Sequence, residues 1–210
     1  MDNLVLYCLM ALAFIIMPGA DFTLIMKTTL TKGRKAGQIT ACGIAAGLVF
    51  HTTAAVLGLS AIIAKSAFLF DVVKYIGAAY LFYLGITAFT TKAVPECYNT
   101  SAANNLAVTD NNSWSVFTQG VLANVLNPKT VIFYLTFLPQ FVNQAKPMIP
   151  QLILLGALLV ILSLIWFAFL AYAFGHIRKY FDNPVFKSRM QKITGALLIS
   201  FGLKLALDKK

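Results

Sequence analysis

A proline break inside an apolar run decides the fold, and it lies in the stretch AFIIMPGADFTLIM at residues 13–26. Proline has no N–H group to donate, and its ring clashes with the preceding helical turn, so Pro18 interrupts a helix built from this run. Gly19 adds backbone freedom at the same point. If the run crosses a membrane, the freed backbone groups must be buried in protein or face a watery cavity. The stretch therefore predicts a broken membrane helix that can offer its backbone to a ligand.

The composition supports a membrane protein. Of the 210 residues, 59% are apolar and only 11% are charged, against about 45–50% and ~25% in soluble domains. A membrane helix needs ~20 apolar residues, so this stock supplies about six crossings and excludes a soluble enzyme or a disordered tail. The six predicted segments are about Leu4–Met26, Ile39–Ala64, Val72–Thr90, Val116–Leu138, Leu152–Phe174 and Ile193–Leu207.

The net charge of +10 comes from short basic stretches between apolar runs. This distribution is typical of cytoplasmic loops and excludes a nucleic-acid-binding surface. With an outside amino terminus, the predicted inside loops hold Lys32, Arg34, Lys35, Lys92, Arg178, Lys179, Lys187, Arg189 and Lys192. The outside loops and tail hold only Lys65, Lys146, Lys209 and Lys210. We therefore expect both termini on the periplasmic or exterior side.

The chain divides into two related parts within one transmembrane domain spanning residues 1–210. The first part is about residues 1–91, a polar cytoplasmic linker covers about 92–113, and the second part is about 114–210. A second break, Asn127 to Thr130, interrupts the fourth segment in GVLANVLNPKTVIFYL. Three spans in each part force opposite orientations, and paired Gly/Pro interruptions predict an inverted-repeat transporter with its site at the breaks. Two unrelated proline kinks are the alternative. The predicted fold is all-α, with six transmembrane helices in two inverted repeats and helices 1 and 4 broken.

The first break offers a backbone site and one acidic side chain. N–H groups at a half-helix start suit a carboxylate, and freed carbonyls suit an ammonium. Asp21 lies inside the apolar run, where an acidic side chain costs ~2.5–3.5 kcal/mol at a helix centre, so it needs a partner or a function. Asp21 either binds an ammonium or takes up a proton, or it caps the restarted half-helix. The structural alternative for Pro18 and Gly19 is a kink satisfied by Thr23 or Thr28.

The second break holds two amides and a lysine. Asn124 and Asn127 are three residues apart, hence neighbours on one helix face. Their amides both donate and accept hydrogen bonds, which suits a zwitterion. After Pro128, Lys129 is predicted to bind a carboxylate or to pair with Asp21. Interhelical hydrogen bonding that only holds the bundle together is the alternative.

Three further positions lie in the second segment. His51 is a candidate proton relay, because histidine is the side chain that ordinarily changes charge near neutral pH, with a packing histidine as the alternative. Gly43 and Gly47 form a small-xxx-small pair that lets two helices approach closely. The cysteines Cys8, Cys42 and Cys97 form no CxxC pair and no cluster with histidine. No metal site, cofactor or catalytic residue is therefore predicted.

Taken in order, these motifs resemble the LysE/RhtB translocators, which are bacterial inner-membrane exporters of amino acids. The resemblance is carried by the stretches PGADF at 18–22, GRKAG at 33–37, the Gly43-xxx-Gly47-xxx-His51 helix and NVLNPK at 124–129. Ala20 stands where the family commonly has a second proline, so we expect a milder break there. The resemblance implies secondary active export of an amino acid or a related small metabolite, coupled to the proton gradient. The implied partners are this substrate and the lipid bilayer, with a homo-oligomer as an option.

Two other functions fit the same sequence features. A membrane thiol–disulfide electron carrier shares a proline-broken architecture, and it needs Cys8 and Cys42 to meet. A helical scaffold without transport is the second alternative.

Overall fold

The computed structural model of the chain describes residues 4–65, 112–143, 145–181 and 183–207, with isolated positions between 72 and 86. Throughout this part of the chain the secondary structure is helical. The helices are α1 (Leu4–Ile16), α2 (Ala20–Lys32), α3 (Arg34–Lys65), α4 (Ser113–Val125), α5 (Pro128–Thr136), α6 (Met148–Phe181) and α7 (Pro184–Leu207), with a 3₁₀ turn at Leu138–Phe141. The predicted third segment and most of the polar linker lie outside the described residues.

The first break falls where the sequence predicts it. Helix α1 ends at Ile16, α2 begins at Ala20, and the two axes differ by 53°. Gly19 is the N-cap residue, with extended backbone (φ −166°, ψ −165°), and its carbonyl accepts from Thr23 N–H at 2.9 Å. The chain thus restarts as a helix directly after Pro18, with the same handedness but a new direction.

The second break has the same bend. Helix α4 and the α5 segment that runs on to Phe141 also differ by 53°. Asn127 is the N-cap residue of α5, and its side-chain oxygen accepts from the Lys129 N–H at 3.1 Å. Pro128 follows at the first helical position, where its missing N–H group is not needed. The two breaks therefore bend the chain equally.

The long helices extend beyond the apolar segments predicted from the sequence. Helix α3 begins five residues before the predicted Ile39 boundary, and α7 begins at Pro184 instead of about Ile193. Hydropathy marks only the apolar part of a helix, whereas basic residues at its start are themselves good helix formers. Between α2 and α3 the chain turns at Gly33, whose φ of 88° lies in the region that favours glycine.

The surface of the helices suits a lipid environment. The stretches Arg34–Gly58 and Met148–Ala173 are each long and apolar enough to cross a membrane, and each bent pair gives one more span if it is counted as a unit. Large apolar side chains such as Leu57 (71% exposed) and Ile165 (63% exposed) point away from the protein. A chain with up to four spans in its described part and an apolar exterior is a multi-pass membrane protein.

The core forms where α3 and α6 pack against the broken helices. The hydroxyl of Tyr134 in α5 donates to the Leu48 carbonyl in α3 at 3.0 Å, and the hydroxyl of Tyr7 in α1 donates to Leu155 in α6 at 2.6 Å. A column of aromatic rings fills the contact between α1 and the α5 segment, with successive centroids 3.9 to 5.1 Å apart, and it consists of Phe14, Phe133, Phe137, Phe141 and Tyr7. The broken helices are therefore held against both long helices.

Candidate functional site

The two breaks meet around a small cavity of about 20 Å³. Its polar lining comes from Asp21 in α2, from Asn127, Lys129 and Thr130 at the start of α5, and from Ser163 in α6. The apolar lining includes Phe14, Phe22, Leu48, Leu159 and Phe167. A water molecule needs about 10–15 Å³ by this measure, so the space admits water but no amino acid. A change of conformation is therefore needed before the site can hold an amino acid.

Lys129 supplies a donor that Pro18 lacks. In a regular α-helix the Phe14 carbonyl accepts from the N–H group of residue 18, and proline has none. The Lys129 ammonium donates instead to the Phe14 carbonyl at 3.2 Å and to the Met17 carbonyl at 3.4 Å. It also lies 4.5 Å from the centroid of the Phe14 ring. Lys129 thus binds the end of α1 rather than the Asp21 carboxylate.

His51 fills the same need at the second break. The Asn124 carbonyl lies four residues before Pro128, so it too loses its helical donor. His51 Nε2 in α3 donates to this oxygen at 3.2 Å, and the Asn127 N–H reaches it at 3.0 Å. His51 is 7% exposed and packs its ring 5.5 Å from that of Tyr134. Each proline break is therefore completed by an ionisable side chain from another helix.

Asp21 and Asn124 connect the two breaks directly. Asn124 Nδ2 donates to Asp21 Oδ2 at 2.9 Å and lies 3.5 Å from Thr130 Oγ1. Among the described residues, Asp21 Oδ1 and Asn124 Oδ1 are buried and have no hydrogen-bond partner. Buried polar atoms are normally paired, so two unpaired acceptors on neighbouring side chains point to a missing donor. Asp21 also lies in the first turn of α2, where the helix dipole favours a negative charge.

The starts of the two half-helices differ. Asn127 caps α5 with its own side chain, whereas the α2 N-cap is Gly19, which has no side chain to do so. The N–H groups of Ala20 and Asp21 therefore have no side-chain cap from residue 19, and both residues line the cavity. This end of α2 is the natural place for an anionic group.

The glycines of α3 lie at its contact with α4. A β-carbon on Gly43 would lie 3.1 Å from the Gly120 Cα atom, and one on Gly47 would lie 2.8 Å from Asn124 Oδ1. Both distances are too short for a side chain to be added without movement. Gly43 therefore permits close helix packing, and Gly47 leaves the space in which the Asn124 amide reaches Asp21.

The structure brings the predicted site residues together, and it adds two that the sequence analysis missed. Pro18, Gly19 and Asp21 form the first break, Asn127, Pro128 and Lys129 form the second, and His51 and Asn124 lie behind the cavity wall. Thr130 and Ser163 were not singled out. Ser163 carried a detectable signal, because it is the lone hydroxyl in the apolar run between Gln151 and Tyr172.

Cysteine and metal chemistry are not evident in the described residues. Cys8 in α1 is half-buried, Cys42 in α3 is exposed, and both are free thiols. Across these same residues, no three His, Cys, Asp or Glu side chains are grouped to hold a metal ion. Cys97 lies outside the described part of the chain.

Comparison with known proteins identifies the class and then the family. The chain is 44% identical over 210 residues to the uncharacterized membrane protein YrhP of Bacillus subtilis, covering 99% of this chain and 100% of that one. It is 25% identical over 200 residues to a homoserine/homoserine lactone efflux protein of Salmonella typhi, covering 95% and 94% of the two chains. It is 26% identical over 207 residues to a leucine efflux protein of Salmonella choleraesuis, covering 95% and 92%. No solved structure matches the chain.

These likenesses define a multi-pass membrane transporter rather than an enzyme. The sequence model for the LysE type translocator matches residues 12–209. The chain therefore belongs to the LysE type translocator family and is a membrane exporter, as the motifs at the two breaks predict.

Proposed function

We propose that this protein exports amino acids or closely related small metabolites across the bacterial inner membrane, driven by the proton gradient. The observation that carries the proposal is that one carboxylate, on Asp21, and one ammonium, on Lys129, both line the cavity where the two proline breaks meet. Relatives named for the efflux of leucine and of homoserine and its lactone support the same class of substrate.

The cavity offers a partner for each end of a zwitterion. Asp21 lines the cavity, and its buried Oδ1 has no hydrogen-bond partner among the described residues, so an α-ammonium supplies the missing donor. The uncapped start of α2 and the Lys129 ammonium suit an α-carboxylate. Hydroxyls of Thr130 and Ser163 are additional polar contacts for the bound molecule.

Competition at Asp21 provides the coupling to protons. A proton and an α-ammonium both neutralise the same carboxylate, so binding of one opposes binding of the other. A carrier that releases substrate outside when a proton takes its place, and releases the proton inside, performs exchange of the two. This mechanism needs one titratable side chain at the site, and His51 is not required to carry the proton.

The architecture proposed for this exchange is an inverted repeat of six helices, organised as repeat one (about 1–91), linker (about 92–113) and repeat two (about 114–210). Two observations support the relation between the two parts. Both breaks bend by 53°, and in both a side chain from another helix donates to the carbonyl four residues before the proline. Both termini are proposed to lie outside. In support, Arg34 at the basic start of α3 lies 5.5 Å over the Tyr172 ring near the end of α6, so basic segments from both parts lie at one end of the protein.

The cavity is too small for an amino acid, so transport requires the protein to open the site alternately to the two sides of the membrane. The aromatic column from Phe14 to Phe141 blocks the path on the side of the α1 amino terminus, which is the proposed exterior. Export therefore needs these rings to separate while the inner side closes. A homo-oligomer is compatible with the exposed apolar surface but is not needed by this scheme.

Transport in reconstituted vesicles tests the proposal. Purified protein is inserted into liposomes, and uptake of each common radiolabelled amino acid is followed with an imposed pH gradient and again after an uncoupler is added. We expect at least one amino acid to accumulate, and the uncoupler to abolish its accumulation. Uptake no greater than in empty liposomes for the whole panel contradicts amino-acid export, and accumulation that survives the uncoupler contradicts proton coupling.

A further inference from the structure

We propose that Lys129 restricts the site to amino acids that carry no second positive charge. In this view the Lys129 ammonium stays at the end of α1 and binds the substrate's carboxylate, while the substrate's α-ammonium binds at Asp21. The inference rests on the amino-acid export proposed above and names the substrate class for that same site.

The ammonium of Lys129 lies in a position built for a cation. Its Nζ is 3.2 Å from the Phe14 carbonyl oxygen, 3.4 Å from the Met17 carbonyl oxygen and 4.5 Å from the centroid of the Phe14 ring. Carbonyls at the end of a helix carry partial negative charge, and the face of an aromatic ring attracts cations. The two carbonyls take two of the three Nζ donors and leave the third for a carboxylate.

The charges around the cavity already cancel. Of the described residues that line it, Asp21 and Lys129 carry charge, and the others contribute apolar, amide, hydroxyl or backbone groups. A neutral amino acid adds one positive and one negative group and leaves this balance intact. A dibasic amino acid adds a further cation for which the lining holds no counter-ion. An uncompensated charge in surroundings this apolar is strongly unfavourable, so the site rejects it.

Space for the substrate's carboxylate lies beside Gly19. A β-carbon at this position would be 3.6 Å from Lys129 Nζ, and it would occupy the side of the ammonium that faces the start of α2. Without that β-carbon, a carboxylate can approach both Nζ and the N–H groups of Ala20 and Asp21. A substrate whose α-ammonium binds at Asp21 can therefore place its carboxylate against Lys129 Nζ.

The variant Lys129→Gln tests this role. It removes the fixed cation while keeping a side chain that can donate to the Phe14 carbonyl, and it leaves Asp21 as the one charge in the described lining. In liposomes we expect the wild-type protein to transport its best neutral amino acid at least tenfold faster than lysine or arginine. In Lys129→Gln we expect this ratio to fall at least tenfold, and in Lys129→Arg we expect it to be kept. Lys146→Gln, at an exposed loop residue, is the matched control and should behave as wild type.

The possible results distinguish failure of this inference about Lys129 from failure of the proposed amino-acid export. Wild-type transport of lysine as fast as any neutral amino acid overturns it, and so does a wild-type ratio in Lys129→Gln. If Lys129→Gln transports nothing, its thermal stabilisation by amino acids in detergent decides. Greater stabilisation by lysine than by the neutral substrate supports the inference, and any other order overturns it. A wild-type protein that transports no amino acid contradicts the proposed function instead.

Discussion

The N–H group that a proline lacks accounts for the placement of two ionisable side chains. Phe14 and Asn124 each lie four residues before a proline, so their carbonyls lose their helical donor. A buried carbonyl left unpaired costs about 1–3 kcal/mol. Lys129 offsets that cost at Phe14, and His51 adds a second donor to the Asn124 oxygen, which also accepts from the Asn127 N–H group. The two residues thus stabilise the breaks whatever part they take in transport.

Replacement of Asp21 by asparagine separates charge from shape. The new amide would still accept a hydrogen bond from Asn124, but it imitates a permanently protonated carboxyl and offers no charge to an α-ammonium. We expect export by Asp21→Asn to fall at least tenfold and its response to the pH gradient to disappear, with little change in the unfolding temperature. Vesicle transport and thermal unfolding in detergent measure these two effects.

The capping alternative for Asp21 predicts the reverse pattern. Loss of a negative charge from the first turn of a helix costs typically 0.3–1 kcal/mol. Unchanged export together with a small loss of stability in Asp21→Asn would therefore show that the carboxylate only stabilises α2.

The residues of the site could be predicted from the sequence, but their partners could not. Proline, glycine and rare polar side chains stand out in an apolar run, and this identified Asp21, Asn127 and Lys129. The partners within the protein that the sequence suggested for the freed backbone, as the alternative to a ligand, were nearby threonines, whereas Lys129 reaches Phe14 from 115 positions away. Contacts over such separations depend on how the helices pack, and no local pattern records that packing.

At the scale of the helices, the two breaks are bent alike although their residues differ. Gly19 starts one half-helix without a side-chain cap, and Asn127 starts the other with one. The bend of 53° is shared. The N–H group that proline lacks therefore determines the bend angle. The flanking residues determine what each helix start can bind.

We predict that Pro128→Ala inserts into the membrane but loses export. Alanine restores the N–H group that pairs with the Asn124 carbonyl, so His51 loses its role there and the α4–α5 bend relaxes.

Asn127→Ala should also abolish export, because it removes the α5 cap and one amide of the cavity, and it should cost about 1 kcal/mol of stability. Membrane fractionation and vesicle transport measure insertion and activity. Wild-type export in either variant contradicts a site at this break.

We predict that Gly120→Ala destabilises the contact between α3 and α4. A β-carbon there would lie 2.6 Å from the Thr40 carbonyl oxygen and 3.1 Å from the Gly43 Cα atom, and backbone atoms cannot move aside as a flexible side chain does. Overpacking of this kind costs typically 1–3 kcal/mol. Thermal unfolding in detergent measures the loss.

Gly58→Ala in α3 is the matched control. No described atom lies within 4 Å of a β-carbon at this position, and alanine in a helix is favoured over glycine by roughly 0.5–1 kcal/mol. The control should therefore be neutral or stabilising. Equal loss of stability in the two variants would indicate that helix propensity, and not the close approach, explains the effect.

For the whole molecule, the distribution of basic residues predicts the orientation. In a variant whose native cysteines are replaced by serine, we introduce either Lys35→Cys or a cysteine after Lys210. A membrane-impermeant maleimide should label the carboxy-terminal cysteine in intact cells, and it should label the Lys35→Cys variant only after the membrane is permeabilised. The opposite pattern would reverse the proposed orientation.

Each half of the chain supplies a hydrogen-bond donor to the proline break in the other half. This dependence restricts how such a protein can evolve and how it can be split into fragments. Lys129 follows the polar stretch and completes the backbone of α1, while His51 precedes that stretch and completes the backbone of α4. A fragment ending before the polar stretch therefore lacks the donor for Phe14, and two copies of it provide only Gly19 where Lys129 would be required. Co-expression of both fragments should restore a stable protein, whereas either one alone should be degraded. If the two parts descend from a duplicated ancestor, they have since become obligate partners.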